Sequence, residues 1–217
     1  DNKLKQDIRT SNMGAAKKPA DAIRTSLGPR GMDKMLVSGN NDVTITNDGA
    51  TILNKMEVAH PAAKMLVELS KSQDIVAGDG TTSVVILAGE LLKRANDLVR
   101  NKIHPTSIIA GYRLAMREAV KYIEDKLSTP IDTLGPETIL NCAKTSMSSK
   151  IVGADSDFFA RMVVDAATSI KTYNDYGDAR YPIKSINILK SHGKSVKESQ
   201  VIKGYALNLG RAAQGMV

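Results

Sequence analysis

Ile109, Tyr112, Met116, Ala119, Ile123 and Leu127 follow one another at spacings of three and four. That is the repeat of one helix face, so a helix is predicted from His104-Pro105 to Leu127. Val84, Val85, Leu87, Ala88, Leu91, Leu92, Ala95, Leu98 and Val99 make a broader apolar face. It predicts a helix from Val84 to Arg100 lying well inside a bundle. Another helix starts at His60-Pro61, with proline in the first turn. Its residues Met65, Leu66, Leu69 and Ile75 run toward Gly78. Further helices are predicted over Arg9–Ser26, Ile52–Val58 and Pro136–Thr145, and from the capping run Asp155-Ser156-Asp157 through Ile170.

The period changes to two at Lys34–Val37 and Asp42–Thr46. Ser38-Gly39-Asn40-Asn41 between them has the chemistry of a hairpin turn. Two strands alone are marginal in water, so this hairpin is expected to complete a sheet elsewhere, such as one on a neighbouring subunit. Residues 171–182 read as a loop. Ile186–Leu189 and Gln200–Leu207 are strand-prone, and the final Gly-Arg-Ala-Ala-Gln-Gly-Met-Val lacks a closing element, as if cut in mid-domain. The pattern predicts a mainly α chain with α+β character.

Composition narrows the class. Of 217 residues, 42% are hydrophobic and 24% charged, enough for a real core. With no Trp and two Phe, that core is aliphatic. The single cysteine, Cys142, excludes an internal disulfide framework and suits a reducing compartment. Its helical surroundings predict a buried, inert thiol. No apolar run is long enough for a membrane span, and the first residues lack the apolar core of a signal peptide. The net charge of +7 is compatible with acidic surfaces or nucleotide phosphates. The cations are spread along the helices without interleaved aromatics, which argues against nucleic acid. His60, His104 and His192 stand far apart. The first two read as helix-start residues, and no metal-ligand spacing is present.

Three stretches carry candidate chemistry. Gly78-Asp79-Gly80-Thr81-Thr82-Ser83 joins two helices. It combines a carboxylate able to hold a divalent cation, a glycine that permits close backbone approach, amides at a helix N-terminus, and hydroxyls. A phosphate with its Mg2+ suits such a corner; so does an ordinary capped turn. Asn47-Asp48-Gly49-Ala50-Thr51 repeats the same chemistry. Two such corners can face one phosphate chain, one aspartate on the metal and the other polarising a water. Leu27-Gly28-Pro29-Arg30-Gly31 is a glycine-lined turn, able to lie against a nucleotide or simply to end a helix. It lacks Walker A spacing. Ser146-Met147-Ser148-Ser149-Lys150 is either a sensor of a terminal phosphate or a solvated linker.

Taken together, Leu27–Met35, Asn47–Leu53 and Gly78–Val85 resemble, in order and spacing, the nucleotide-site motifs of the group II chaperonins. Ile103–Leu114, Ala143–Lys150 and Ser185–Lys190 look closest to one subunit type of the eukaryotic cytosolic members, whereas Asp7–Arg24 looks more like another. The resemblance covers nearly the whole chain but only the front part of the family's length. It implies an equatorial helical bundle with a small β-hairpin (residues 1–134), the first part of an α/β intermediate domain (135–198) and the start of the apical domain (199–217).

By the same resemblance, Asp79 binds Mg2+. Leu27, Gly28, Pro29, Gly80, Thr81, Thr82 and Ser83 contact ATP or ADP, Asp48 positions or activates the attacking water, and Ser148, Ser149 and Lys150 sense the γ-phosphate. The family's catalytic aspartate of the returning intermediate segment has no counterpart here, so the chain alone is expected to hydrolyse ATP weakly or not at all. The implied partners are other chaperonin subunits in a cytosolic double-ring hetero-oligomer and unfolded polypeptides, actin- and tubulin-like among them. No nucleic acid and no membrane are implied. Two other readings stay open on the residues alone: a helical interaction module whose Asp-Gly corners are only caps, and a small ATP-dependent phosphotransferase.

Overall fold

The computed structural model describes residues 2–39, 41–193, 195–207, 209–210, 212–213 and 215. Asn40 of the anticipated hairpin turn, and parts of the segment after Leu207, lie outside the described residues. The chain forms two compact units, Asp1–Thr129 and Pro130–Val217.

In the first unit α1 (Asn2–Ile23) runs into a 3-10 turn, Arg24–Ser26. It begins seven residues before the anticipated Arg9 and carries Pro19 inside it. β1 (Lys34–Val37) and β2 (Val43–Thr46) then pair antiparallel, with Lys34 opposite Thr46 and Val37 opposite Val43. Next come α2 (Gly49–Lys55), α3 (Pro61–Val76), α4 (Thr81–Arg100) and α5 (Pro105–Tyr122). Both proline-led helices start as the sequence predicts: the His60 and His104 rings accept the amides of Ala62 and Thr106, each at 3.2 Å.

Two starts are earlier than periodicity indicated. α2 begins at Gly49 rather than Ile52, and α4 at Thr81 rather than Val84. The polar residues before each apolar face complete the first turn, a position that hydrophobic spacing does not register. α5 stops at Tyr122, and Ile123–Leu127 continues as a π-helical turn.

Ala16, Ala20 and Ile23 of α1, Ile52 and Leu53 of α2, Leu66 of α3, and Val85 and Ile86 of α4 make one core. Removing Ile23, Ile52, Leu53 and Val85 from water contributes about 1.5–3 kcal/mol each. The contact between α1 and α4 is close because Gly89 lacks a side chain: a Cβ there would stand 2.5 Å from that of Ala20. Leu36 brings the hairpin onto this core.

Several apolar positions are less covered than their pattern suggested: α4, expected well inside a bundle, leaves Leu87 and Leu91 exposed. Met65 and Ile75 of α3 are exposed, since only Leu66 of that anticipated face is fully covered. The apolar residues Met35, Val37, Val43 and Ile45 share the outward face of the hairpin. Along α5 only Ile108 is buried; Ile109, Met116, Ile123 and Leu127 face outward, and the Tyr112 hydroxyl donates to the Leu91 carbonyl at 2.8 Å. The helical period of α3 and α5 is right, but these outward residues gain no cover among the described residues.

In the second unit α6 (Pro136–Met147) packs on α7 (Ser156–Ser169) around buried Ala160, with Lys144 ion-paired to Asp157. Asp155 precedes α7 without capping it through its side chain; its carboxylate pairs with Lys197 at 2.9 Å. Residues 171–182 are more ordered than their composition suggested. β3 (Thr172–Tyr173) and β4 (Ala179–Arg180) form a short hairpin, and the Asn174 side-chain oxygen accepts the amides of Tyr176 and Asp178. The strand-prone runs 186–189 and 200–207 form no strand among the described residues. Strand propensity is expressed only beside a hydrogen-bonding partner. Cys142 is exposed, contrary to the buried thiol expected from its helical pattern. It lies on the uncovered side of α6, and periodicity does not say which side of a short helix meets its neighbour.

Candidate functional site

Asp48 stands between β2 and α2 in extended conformation, φ −76° and ψ 121°. Its amide donates to the Thr46 hydroxyl at 3.1 Å. One carboxylate oxygen accepts the Thr51 amide at 3.0 Å and the Thr51 hydroxyl at 2.8 Å, the geometry of an N-cap. The other accepts the Thr81 hydroxyl at 3.2 Å. Asp48 therefore caps α2 and is tied to the first residue of α4.

The two helix starts touch because Gly49 is a glycine. A Cβ at that position would stand 2.5 Å from the Thr82 hydroxyl oxygen and 2.9 Å from the Thr82 backbone nitrogen. Gly80 precedes α4 with φ +74°, a left-handed conformation that favours glycine. The helix ladder opens with the Val84 amide donating to the Gly80 carbonyl at 3.0 Å. The amides of Thr81, Thr82 and Ser83 precede it and have no acceptor within the helix. Asp79 is exposed at this end, and one of its carboxylate oxygens accepts the Gly80 amide at 2.7 Å.

Two α3 residues that sequence reasoning missed support the corner from behind. The Gln73 side-chain amide donates to the Asp79 carbonyl at 3.0 Å, and the buried Ser70 hydroxyl donates to the Thr81 carbonyl at 3.4 Å. Their three-residue spacing on one helix face, with a serine set among Leu66 and Leu69, was the signal available in the sequence.

The structure thus brings together Asp48, Gly49, Asp79, Gly80, Thr81 and Thr82. Family membership is decided by comparison with known proteins. The TCP-1/cpn60 chaperonin family is matched over residues 20–217. The chain belongs to the TCP-1/cpn60 chaperonin family.

Among its relatives, T-complex protein 1 subunit alpha of Arabidopsis thaliana is 65% identical over 211 residues, covering 97% of this chain and 39% of the relative. The alpha subunit of Tetrahymena pyriformis is 56% identical, with the same coverage. The delta subunit of Caenorhabditis elegans is 51% identical over 211 residues, covering 96% of this chain and 38% of the relative. The chaperonin chain described here therefore spans about two fifths of the length of these relatives.

The other predicted residues of this chaperonin chain lie in a turn after α1 and at the end of α6. Leu27, Gly28 and Pro29 lie in a turn after α1, with Gly28 at φ +87°. The Gly31 amide donates to the Gly28 carbonyl at 2.9 Å, and the Ser26 hydroxyl donates to the Met32 carbonyl at 2.9 Å. Just before this turn, Arg24 donates to Glu90 of α4 at 2.5 Å, a bond that holds the Glu90 carboxyl below its ordinary range. Ser148, Ser149 and Lys150 belong to the second unit. There Ser148 ends α6 and its hydroxyl donates to the Thr145 carbonyl at 2.7 Å, while the Lys150 amide donates to the Met147 carbonyl at 3.0 Å. A cleft of about 250 Å3 between α1 and α4, lined by Met13, Lys17, Leu92 and Asn96 among others, contains none of the predicted residues.

The donor set fits a metal-bound phosphate better than a metal alone. No three His, Cys, Asp or Glu residues gather into a metal cage among the described residues. Mg2+ is commonly held by one or two carboxylates plus substrate phosphates, and Asp79 sits beside the helix amides that would meet such phosphates. No helix among the described residues is long and apolar enough to cross a membrane.

Proposed function

We propose that this chain supplies part of the nucleotide site of an ATP-dependent cytosolic chaperonin subunit. The carrying observation is the Thr81–Asp48 hydrogen bond, which joins the two Asp-Gly corners at one pair of helix starts. Asp79 holds Mg2+, and the α4 amides with the Thr82 and Ser83 hydroxyls receive phosphate oxygens. Asp48 orients the attacking water. Leu27, Gly28 and Pro29 contact the nucleotide, and Ser148, Ser149 and Lys150 respond to its terminal phosphate. Mg2+ would neutralise charge on the phosphates; the contribution of these residues is positioning and fixed dipoles.

In this reading residues 1–134 belong to an equatorial ATP-binding domain, 135–198 to an intermediate domain and 199–217 to the start of an apical domain. Hydrolysis in the assembled ring drives closure of a chamber around unfolded polypeptides, actin- and tubulin-like chains among them. The neighbours are other subunits of a double-ring hetero-oligomer. The outward apolar face of the β1–β2 hairpin supports a contact with such a neighbour.

Hydrogen exchange with and without Mg-ATP tests the site in the full-length protein. Protection of residues 78–83 and 47–51, lost in Asp79→Ala, is expected. Equal exchange with and without nucleotide would leave both corners as plain caps.

A further inference from the structure

We infer that Gln73 is a positioning residue that sets the direction of the Asp79–Gly80 peptide and thereby the aim of the Asp79 carboxylate; this rests on the nucleotide site proposed above.

α3 ends at Val76, and the segment to α4 has Gly78 at φ +69° and Gly80 at φ +74°. Residues flanked by glycines have few steric restraints on peptide rotation. The Asp79–Gly80 peptide therefore needs an external restraint to keep one face toward a ligand. A trans peptide points its carbonyl and amide in opposite directions. Gln73 takes the Asp79 carbonyl at 3.0 Å, which turns the Gly80 amide away from α3. That amide meets the Asp79 carboxylate at 2.7 Å.

The anchor is itself fixed. The Gln73 backbone carbonyl accepts the Ala77 amide at 2.9 Å and the Gly78 amide at 3.3 Å, closing the end of α3. One turn earlier, fully buried Ser70 reaches the Thr81 carbonyl. One face of α3 thus holds a carbonyl on each side of Gly80. The space beside Gly80 is also set by Gln73, since a Cβ there would meet its side-chain nitrogen at 3.6 Å. Gln73 is suited to this role because it carries a donor without a charge: a carboxylate would repel the Asp79 carbonyl and compete for the cation.

The test uses Gln73→Met, of similar length but without a donor, and Gln73→Glu, in the full-length protein. ADP binding is titrated at several Mg2+ concentrations and without Mg2+, and melting temperature is recorded. Both variants should raise the Mg2+ concentration for half-maximal binding by about three- to tenfold, the effect of one lost hydrogen bond. Metal-free ADP affinity and melting temperature should change little. An unchanged Mg2+ requirement in Gln73→Met, with Asp79→Ala abolishing the Mg2+ response, would overturn the role of Gln73 alone. Equal losses with and without Mg2+, together with a lower melting temperature, would make Gln73 merely structural and also overturn it. An Mg2+ response untouched by Asp79→Ala would remove the proposed site and this inference with it.

Discussion

The Thr81 hydroxyl donates to the Asp48 carboxylate at 3.2 Å, linking residues 33 positions apart. The bond ties the cap of α2 to the first residue of α4. Hydrogen bonds to charged groups contribute about 1.5–3 kcal/mol. Thr81→Val keeps the shape and removes the donor, so it should cost roughly that amount in urea unfolding. Thr81→Ser keeps the hydroxyl and should recover most of the loss. Equal stability of the two variants would show that the bond contributes nothing.

Gly49→Ala should separate the two helix starts, because the new methyl group would meet the Thr82 backbone. Overpacking of this kind costs about 1–3 kcal/mol. Denaturant unfolding should show the loss. Gly14→Ala, where the space is open, should show none.

Glu90 gives a pH-dependent signature. The Arg24 hydrogen bond lowers its folded pKa, with Lys93 and Arg94 adding to the effect. A lowered carboxyl pKa contributes stability above the unfolded value, about 4.3, and loses it as pH falls through the folded value. Glu90→Gln should therefore melt lower than wild type near pH 7, and the two curves should converge as pH falls through the lowered folded value. A constant gap down to acid pH would argue against the ion pair as its source.

Leu53 and Ile109 are both apolar helix residues, but Leu53 is 1% exposed and Ile109 is 53% exposed. Leu53→Ala should cost about 2–5 kcal/mol. Ile109→Ala should cost less than about 0.5 kcal/mol in this chain. Comparable losses would mean that α5 is covered in solution.

Cys142 should react with a maleimide in the native protein about as fast as in urea, because its side chain is exposed. Strong native-state protection, released by denaturant, would restore the buried position expected from the helical pattern.

The elements were largely legible before the structure. Apolar spacing located α3 to α6, alternating residues located β1 and β2, and histidine-proline pairs marked two helix starts. These signals are local: a helix period or a proline at the first turn acts within a few residues. The first turns of α2 and α4 were less legible because their residues are polar. The β3–β4 hairpin was missed because its turn chemistry, centred on Asn174 and Gly177, masked two very short strands.

The sequence by itself determined the mainly helical class, the aliphatic core and the two Asp-Gly corners, because residue type and short-range spacing encode them. Only the tertiary structure decided that Asp48 meets Thr81, that Gly49 lets Thr82 approach, and that Gln73 and Ser70 hold the backbone behind Asp79. It also decided which apolar faces are covered, leaving Met35 and Ile109 outside and Ile52 and Leu53 inside. These relationships depend on how helices distant in sequence cross one another. Periodicity marks the face a helix can bury, while its neighbour sets which residues meet.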